Sequence, residues 1–224
     1  MEAPVLSRVA RSVLGPVLRA SYDVEVTGLG GVPLDRPVIL AANHRSFMDS
    51  IFLPLVWPSH IAFIAKAEYF DHWSTAWFFR GTGQIPLRRG LGSAAGEALG
   101  AARNVLAAGG TIGIYPEGTR SRDGKLHRGN SGPARLALTS GAPIVPVGLV
   151  GTANVQAPGQ KVPRPFRHVA VRFGPPQWVT SSSSDGVSDR VVLRDATDQL
   201  MRTIAGLCGQ ECVDRYAGRA TSAA

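Results

Sequence analysis

The chain has little cysteine: Cys208 and Cys212 are its only two in 224 residues. A disulfide framework is therefore excluded, and no further ligand-bearing residues stand near the pair, so the expectation is two free thiols in a reducing compartment and no metal site. Four positions apart, they would share a face if the preceding helix ran on through both. Long hydrophobic runs are also missing; every apolar stretch falls far short of the roughly 20 residues that a spanning helix needs. Nor does the start read as a secretory signal, because Arg8, Arg11 and Arg19 are threaded through its apolar residues instead of standing ahead of them. Aromatic residues make up only 7% and the basic residues form no long runs, which argues against a stacking platform for single-stranded nucleic acid. Internal repeats are absent.

What is present is a 44% hydrophobic chain long enough to bury a substantial core as one domain. Lysine and arginine total 24 against 16 acidic residues, a net charge of +8 that favours an anionic partner such as a phosphorylated substrate or an anionic membrane surface. At the start, Leu6, Val9, Val13 and Val17 recur at spacings that place them on one side of a helix, leaving Arg8, Arg11 and Arg19 for another. Such a helix either lies on anionic lipid or packs on its own domain, and Pro16 is expected to end or kink it.

Apolar runs at 38–41, 61–65, 111–115, 144–149 and 168–173 read as buried strands. Between them, residues 94–108 are rich in Ala and Leu with Ser93 before and Gly109-Gly110 after, 132–140 form a shorter helix, and 188–207 carry Leu193, Ala196, Leu200, Ile204 and Leu207 on one face. This alternation implies an α/β fold with a mixed, largely parallel central sheet flanked by helices, whose loops at the strand ends carry function. The divisions expected are an N-terminal amphipathic helix over 1–22, a main domain over 23–216 and a flexible tail over 217–224.

After the run PVILAA comes NHRSFMD, with His44 five residues before Asp49. On a continuous helix residues five apart lie about 140° apart and do not meet; across a strand-to-helix turn, with Ser46 or Asn43 as cap, the imidazole can fold back onto the carboxylate. That would hold the ring in one tautomer and stabilise its protonated form. The plainer alternative is a helix start in which Asp49 complements the dipole. Downstream, Glu117-Gly118-Thr119-Arg120-Ser121-Arg122 follows the strand at 111–115. Glycine admits close backbone approach and arginine offers a fork matched to phosphate, so this is either a phosphomonoester cradle or a solvated charged turn. Arg88 and Arg89 end another strand in GQIPLRR.

Taken together, NHRSFMD, GQIPLRR, YPEGTRSRDG and IVPVGL stand in the order and spacing of the four blocks of the glycerolipid acyltransferases. Over residues 35–175 the chain resembles the 1-acyl-sn-glycerol-3-phosphate acyltransferase family. The resemblance implies that His44 is the general base and Asp49 its orienting partner, that Arg89, Glu117, Gly118, Thr119 and Arg120 hold the acceptor's glycerol phosphate, and that Pro146 lies on the acyl-donor side. It further implies transfer of a fatty acyl group from acyl-CoA or acyl-ACP to the sn-2 hydroxyl of a lysophospholipid, with no cofactor or metal. The enzyme would sit peripherally, as a monotopic protein, on the cytoplasmic face of a bacterial membrane. Two positions depart from the pattern: Arg88 stands where an acidic residue is common and Asn130 where lysine is. No Gly-x-Ser-x-Gly elbow is present, in keeping with direct transfer, and backbone N–H groups of the turn before Asp49 are candidate oxyanion donors. The apolar pieces 51–57 and 73–79, with Trp57, Trp73 and Trp77, fit a membrane-facing surface or a buried core equally. Competing readings are a transacylase or acyltransferase for another lysophospholipid, a thioester hydrolase, and a non-catalytic anionic-lipid-binding protein.

Overall fold

The apolar runs become strands buried on both sides, and the order in which they pair decides where the site lies. The computed structural model describes residues 4–88, 92–180 and 189–218. Its helices are α1 (Val5–Ser21), α2 (Asp49–Val56), α3 (Glu68–Asp71), α4 (Trp73–Gly81), α5 (Gly92–Ala107), α6 (Gly132–Ser140), α7 (Thr152–Val155) and α8 (Asp189–Cys208). Its strands are β1 (Asp23–Thr27), β2 (Val38–Ala42), β3 (Ile61–Lys66), β4 (Ile85–Leu87), β5 (Thr111–Ile114), β6 (Leu126–His127), β7 (Ile144–Val150), β8 (His168–Phe173) and β9 (Cys212–Val213).

Seven strands form one sheet in the order β1-β8-β7-β2-β5-β3-β4. The block from β7 to β4 is parallel throughout; β8 runs antiparallel to β7, and β1 lies parallel to β8 at the edge. The mixed, largely parallel sheet expected from the alternation is what forms. Because successive side chains point to opposite faces, β2 sends Val38 and Leu40 into a core with Phe52, Leu53 and Trp57, and Ile39 and Ala41 into a second core with Ala98, Ala102, Leu136 and Leu200. Both faces are therefore covered by helices, which is why β2 is apolar and buried along its whole length. The parallel strands deliver their C-terminal ends to one edge, where an open α/β sheet places ligands.

At four points the local structure departs from the sequence expectations or decides between them. Pro16 does not end α1, which continues to Ser21. The carbonyl that loses its intrahelical donor belongs to Ser12, and both residues are exposed, so water can satisfy it. The arginines of α1 do not all face away from the domain either: Arg11 donates to Pro58 O at 3.1 Å and Arg19 to Leu55 O at 3.3 Å. They meet the carbonyl end of α2, where cations are favoured. What α1 turns outward is its valines, with Val5, Val9, Val13 and Val17 between 52% and 67% exposed. The segment 51–57 is core rather than membrane-facing, with Phe52, Leu53, Leu55 and Trp57 buried, whereas Trp73 and Trp77 are exposed. Finally, Cys208 and Cys212 share no helical face, because α8 ends at Cys208, Gly209 turns left-handed at φ +71°, and Cys212 enters β9. Both thiols are free.

Gly151, at φ +82° between β7 and α7, would place a Cβ only 2.3 Å from the carbonyl oxygen of His168, whereas one on Gly141, at φ +71°, would meet nothing within 4 Å. Gly141→Ala is expected to cost about 1 kcal/mol for the backbone conformation alone. Gly151→Ala should cost clearly more, about 2–4 kcal/mol, because the obstacle is backbone. Urea unfolding of both variants reads the difference directly.

Candidate active site

The chain leaves β2 at Ala42 and reaches α2 at Asp49 through a turn whose backbone is pinned at almost every residue. Asn43 is buried, and its amide accepts from Leu149 N at 2.7 Å and donates to Leu149 O at 2.9 Å, tying the end of β2 to β7. Ser46 accepts from Met48 N at 3.0 Å and donates to Gln156 O at 2.7 Å. Neither residue caps α2 directly as expected; Met48 is the cap position and makes no side-chain bond there.

Asp49 instead ties the turn and the ring together. It is fully buried, and its Oδ2 accepts three hydrogen bonds: from Arg45 N at 2.7 Å, Ser46 N at 2.8 Å and His44 Nδ1 at 2.8 Å. The two readings of the motif thus coexist, since one carboxylate both satisfies the turn and holds the imidazole. An ionised carboxylate only accepts, so Nδ1 carries the hydrogen and Nε2 keeps its lone pair. The ring plane is fixed by Tyr115, stacked at 3.8 Å between centroids and 10° between planes. Tyr115 is anchored in turn through its hydroxyl to Ser50 Oγ at 2.8 Å. Burial, then the nearby Asp49 charge, pushes the Tyr115 phenol well above its usual range, so it stays neutral while it supports the ring. The N–H groups of Arg45, Ser46 and Met48 are all engaged within the turn, so these three do not serve as oxyanion donors in this geometry.

The loop after β5 locks onto the same turn. Gly118 adopts φ +71° and donates to Tyr115 O at 2.9 Å, which sends Glu117 inward. Its carboxylate accepts from His44 N at 3.1 Å through Oε1 and from His127 N at 3.0 Å through Oε2. Glu117 borders the same groove as Arg120, but it is 4% exposed and its two oxygens are committed to backbone donors, so it braces the loop instead of offering a group to a phosphate. The His44 carbonyl accepts from Ser121 N at 2.7 Å, so the loop grips the histidine backbone from both sides. Asn130 braces the loop by directing its backbone and side-chain N–H groups to Pro116 O, each at 2.9 Å. Further along, His127 Nε2 meets Asp123 Oδ1 at 3.0 Å, and that bond above all holds the Asp123 carboxyl well below the usual range.

His44, Gly118, Thr119 and Arg120 line one groove of about 2310 Å³, together with Arg88, Arg103, Arg122 and Arg135. Leu14 and Leu18 of α1 line it too, beside Ile51, Leu55 and Phe63. One wall region is thus cationic and another apolar. Pro146 does not line it: it is buried in β7 opposite Ala41 of β2, in the interior of the sheet. Arg89 lies outside the described residues. Sequence reasoning passed over Tyr115 as a mere strand end, and it missed Gln210, which accepts from Asn43 Nδ2 at 2.7 Å and donates to Gly124 O at 2.8 Å. Nothing in the sequence around Gln210 announces this; only the turn at Gly209 does.

Burial pushes the Glu117 carboxyl up from its usual 4.5 to about 7, with the His127 and His44 N–H groups pulling the other way. The folded state thus holds this proton more tightly than the unfolded chain does. The stability contributed is full below the unfolded value and is lost as pH rises toward the folded one, about 3 kcal/mol in all. Glu117→Gln cannot titrate and should lose that part of the slope. Urea unfolding at about pH 5 and about pH 8 should therefore show a smaller difference in the variant than in the parent chain.

The sequence model of the acyltransferase family matches residues 23–150. A chloroplastic 1-acyl-sn-glycerol-3-phosphate acyltransferase of Brassica napus is 30% identical over 141 residues, which is 62% of this chain and 41% of that protein. A 1-acyl-sn-glycerol-3-phosphate acyltransferase of Borreliella burgdorferi is 32% identical over 136 residues, 60% of this chain and 54% of that one. The chain therefore matches only about half, or less, of the length of these relatives. Among solved structures, the 1-acyl-sn-glycerophosphate (LPA) acyltransferase PlsC from Thermotoga maritima aligns with a TM-score of 0.65 at 28% identity, over 90% of this chain and 78% of that one. The family match spans more than half of the chain and contains His44, Asp49 and the loop of Arg120, and the chain belongs to the acyltransferase family.

Proposed function

We propose that this chain transfers a fatty acyl group from an acyl thioester to the sn-2 hydroxyl of 1-acyl-sn-glycerol-3-phosphate, giving phosphatidic acid. The observation that carries the reading is the oriented His44, its Nδ1 held at 2.8 Å by buried Asp49, in the same groove as exposed Arg120, which forms no ion pair among the described residues. The names of the relatives support the substrate. An alcohol is a poor nucleophile at neutral pH, so Nε2 of His44 removes its proton as the oxygen attacks the thioester carbonyl. Collapse of the tetrahedral intermediate breaks the C–S bond, and the departing thiolate takes the proton back from the imidazolium. No enzyme-bound acyl group is needed, and the only other participants are the two substrates, with acyl-CoA or acyl-ACP as donor.

Arg120 offers the fork that a phosphomonoester accepts, with Thr119 and Gly118 beside it, while the apolar wall from α1, α2 and β3 suits an acyl chain. Placement on a membrane follows from the outward valines of α1 and the exposed Trp73 and Trp77. Among the described residues no helix is long and apolar enough to cross a membrane, so the attachment proposed is peripheral, on an anionic leaflet such as the cytoplasmic one.

Purified protein given lysophosphatidic acid and a panel of acyl-CoA and acyl-ACP thioesters should yield phosphatidic acid by mass, with the carrier that supports turnover identifying the donor. Free fatty acid formed equally with or without acceptor would instead mark a hydrolase and end the proposal. His44→Ala should lower turnover about 10²–10⁴-fold while the melting temperature and vesicle binding stay close to those of the parent. Arg120→Ala should raise the acceptor KM about 10-fold or more and leave the donor KM nearly unchanged.

A further inference from the structure

Between α7 and β8 the chain runs QAPGQKVPRPFRH, a stretch that the family match does not reach. Its backbone is fixed: Gln156 Nε2 donates to Gln160 O and Lys161 O at 3.1 and 3.2 Å, Arg164 N donates to Val155 O at 2.8 Å, and Phe166 N donates to Ser21 O at 2.8 Å. Its side chains are nevertheless turned out. Val162 is 75% and Phe166 80% exposed, and Lys161, Arg164 and Arg167 are exposed around them. Phe166 also has φ +55°, the one positive value at a non-glycine position among the described residues. A bulky residue seldom adopts that conformation, and when it does the surroundings impose it.

We propose that loop 157–167 is a second lipid-contacting element, which inserts Phe166 and Val162 between the head groups of an anionic leaflet while Lys161, Arg164 and Arg167 meet their phosphates. This rests on the membrane placement proposed above and extends it to a part of the chain that no motif marks. Three observations single out a lipid surface as the occupant. The cations form no ion pair among the described residues, and no acidic residue occurs between positions 156 and 167. The carboxylates of adjoining β1, Asp23 and Glu25, are directed to His168 at 2.9 and 3.4 Å and not to these cations. The loop also adjoins the other apolar surface: the Phe166 N–H donates to Ser21 O at the end of α1, four residues beyond the exposed Val17. Apolar tips ringed by cations are the composition that partitions to a charged interface.

Sedimentation with phosphatidylcholine vesicles, with and without phosphatidylglycerol, tests this on the full chain. The parent should bind the anionic vesicles. Lys161, Arg164 and Arg167 changed together to Gln should bind them about 10- to 100-fold more weakly. Phe166→Gly should weaken binding about 10-fold and yet raise the melting temperature, because glycine relieves the positive φ; a purely structural role for Phe166 would lower both. Val9→Asp in α1 serves as the reference. If Val9→Asp weakens binding and the loop variants bind as the parent does, the loop proposal is overturned while the membrane reading stands. If the parent itself does not bind, both fall.

Discussion

A single buried carboxylate joins the two halves of the site. Glu117 removes itself from water to accept the N–H of His44 on one side and that of His127 on the other. Burying a carboxylate is costly, and two backbone donors that would otherwise stand unsatisfied after a strand end offset only part of that cost, which leaves the Glu117 carboxyl pushed up to about 7. The end of β2 and the loop after β5 thereby become one body. General-base transfer needs the acceptor oxygen within hydrogen-bond reach of Nε2 while the far end of the same molecule is gripped elsewhere. That demands a fixed distance between histidine and arginine loop, and no contact made by the imidazole alone supplies it.

The groove has its polarity for a related reason. The parallel strands bring β2, β5 and β3 to one edge, so the turn with His44 and the loop with Arg120 are neighbours in space although separated in sequence. Helix α1 closes the apolar wall with Leu14 and Leu18 and is held by arginines directed inward to the end of α2. Both arginines stay exposed while they anchor the helix, and the valine row is exposed beside them, an apolar surface of the kind that marks interaction sites.

Much of this was legible from residues alone. Strands β2, β3, β5, β7 and β8 announced themselves as apolar runs because both of their faces are covered. By contrast, β1 is an exposed edge strand of mixed composition and gave no such signal. The His44 and Asp49 pair could be named, but whether the carboxylate served the ring or the helix start could not, since three donors converge on one oxygen only in three dimensions. Glu117 was placed with the phosphate ligands because its block is matched, whereas the fold commits both of its oxygens to the N–H groups of His44 and His127. Pro146 was read as part of a site because its block is matched, whereas strand burial places it within the sheet.

Gln210 shows most clearly why motif content and site geometry are separate properties. Every block of the resemblance lies before it, yet its amide spans from Asn43, next to His44, to Gly124 in the arginine loop. It reaches that position because α8 packs along β7 and the glycine turn throws the chain back toward β6, where β9 adds a strand. Leu126 N then donates to Glu211 O at 2.8 Å and Arg128 N to Arg215 O at 2.9 Å. His127 lies between those two rungs, and its N–H is the one Glu117 uses. The His44 turn is therefore positioned from behind by residues 210–215, through backbone pairing that depends on strand register rather than on residue type. Pairing of that kind leaves no signature in a sequence pattern, and it is the part of the site that only coordinates reveal.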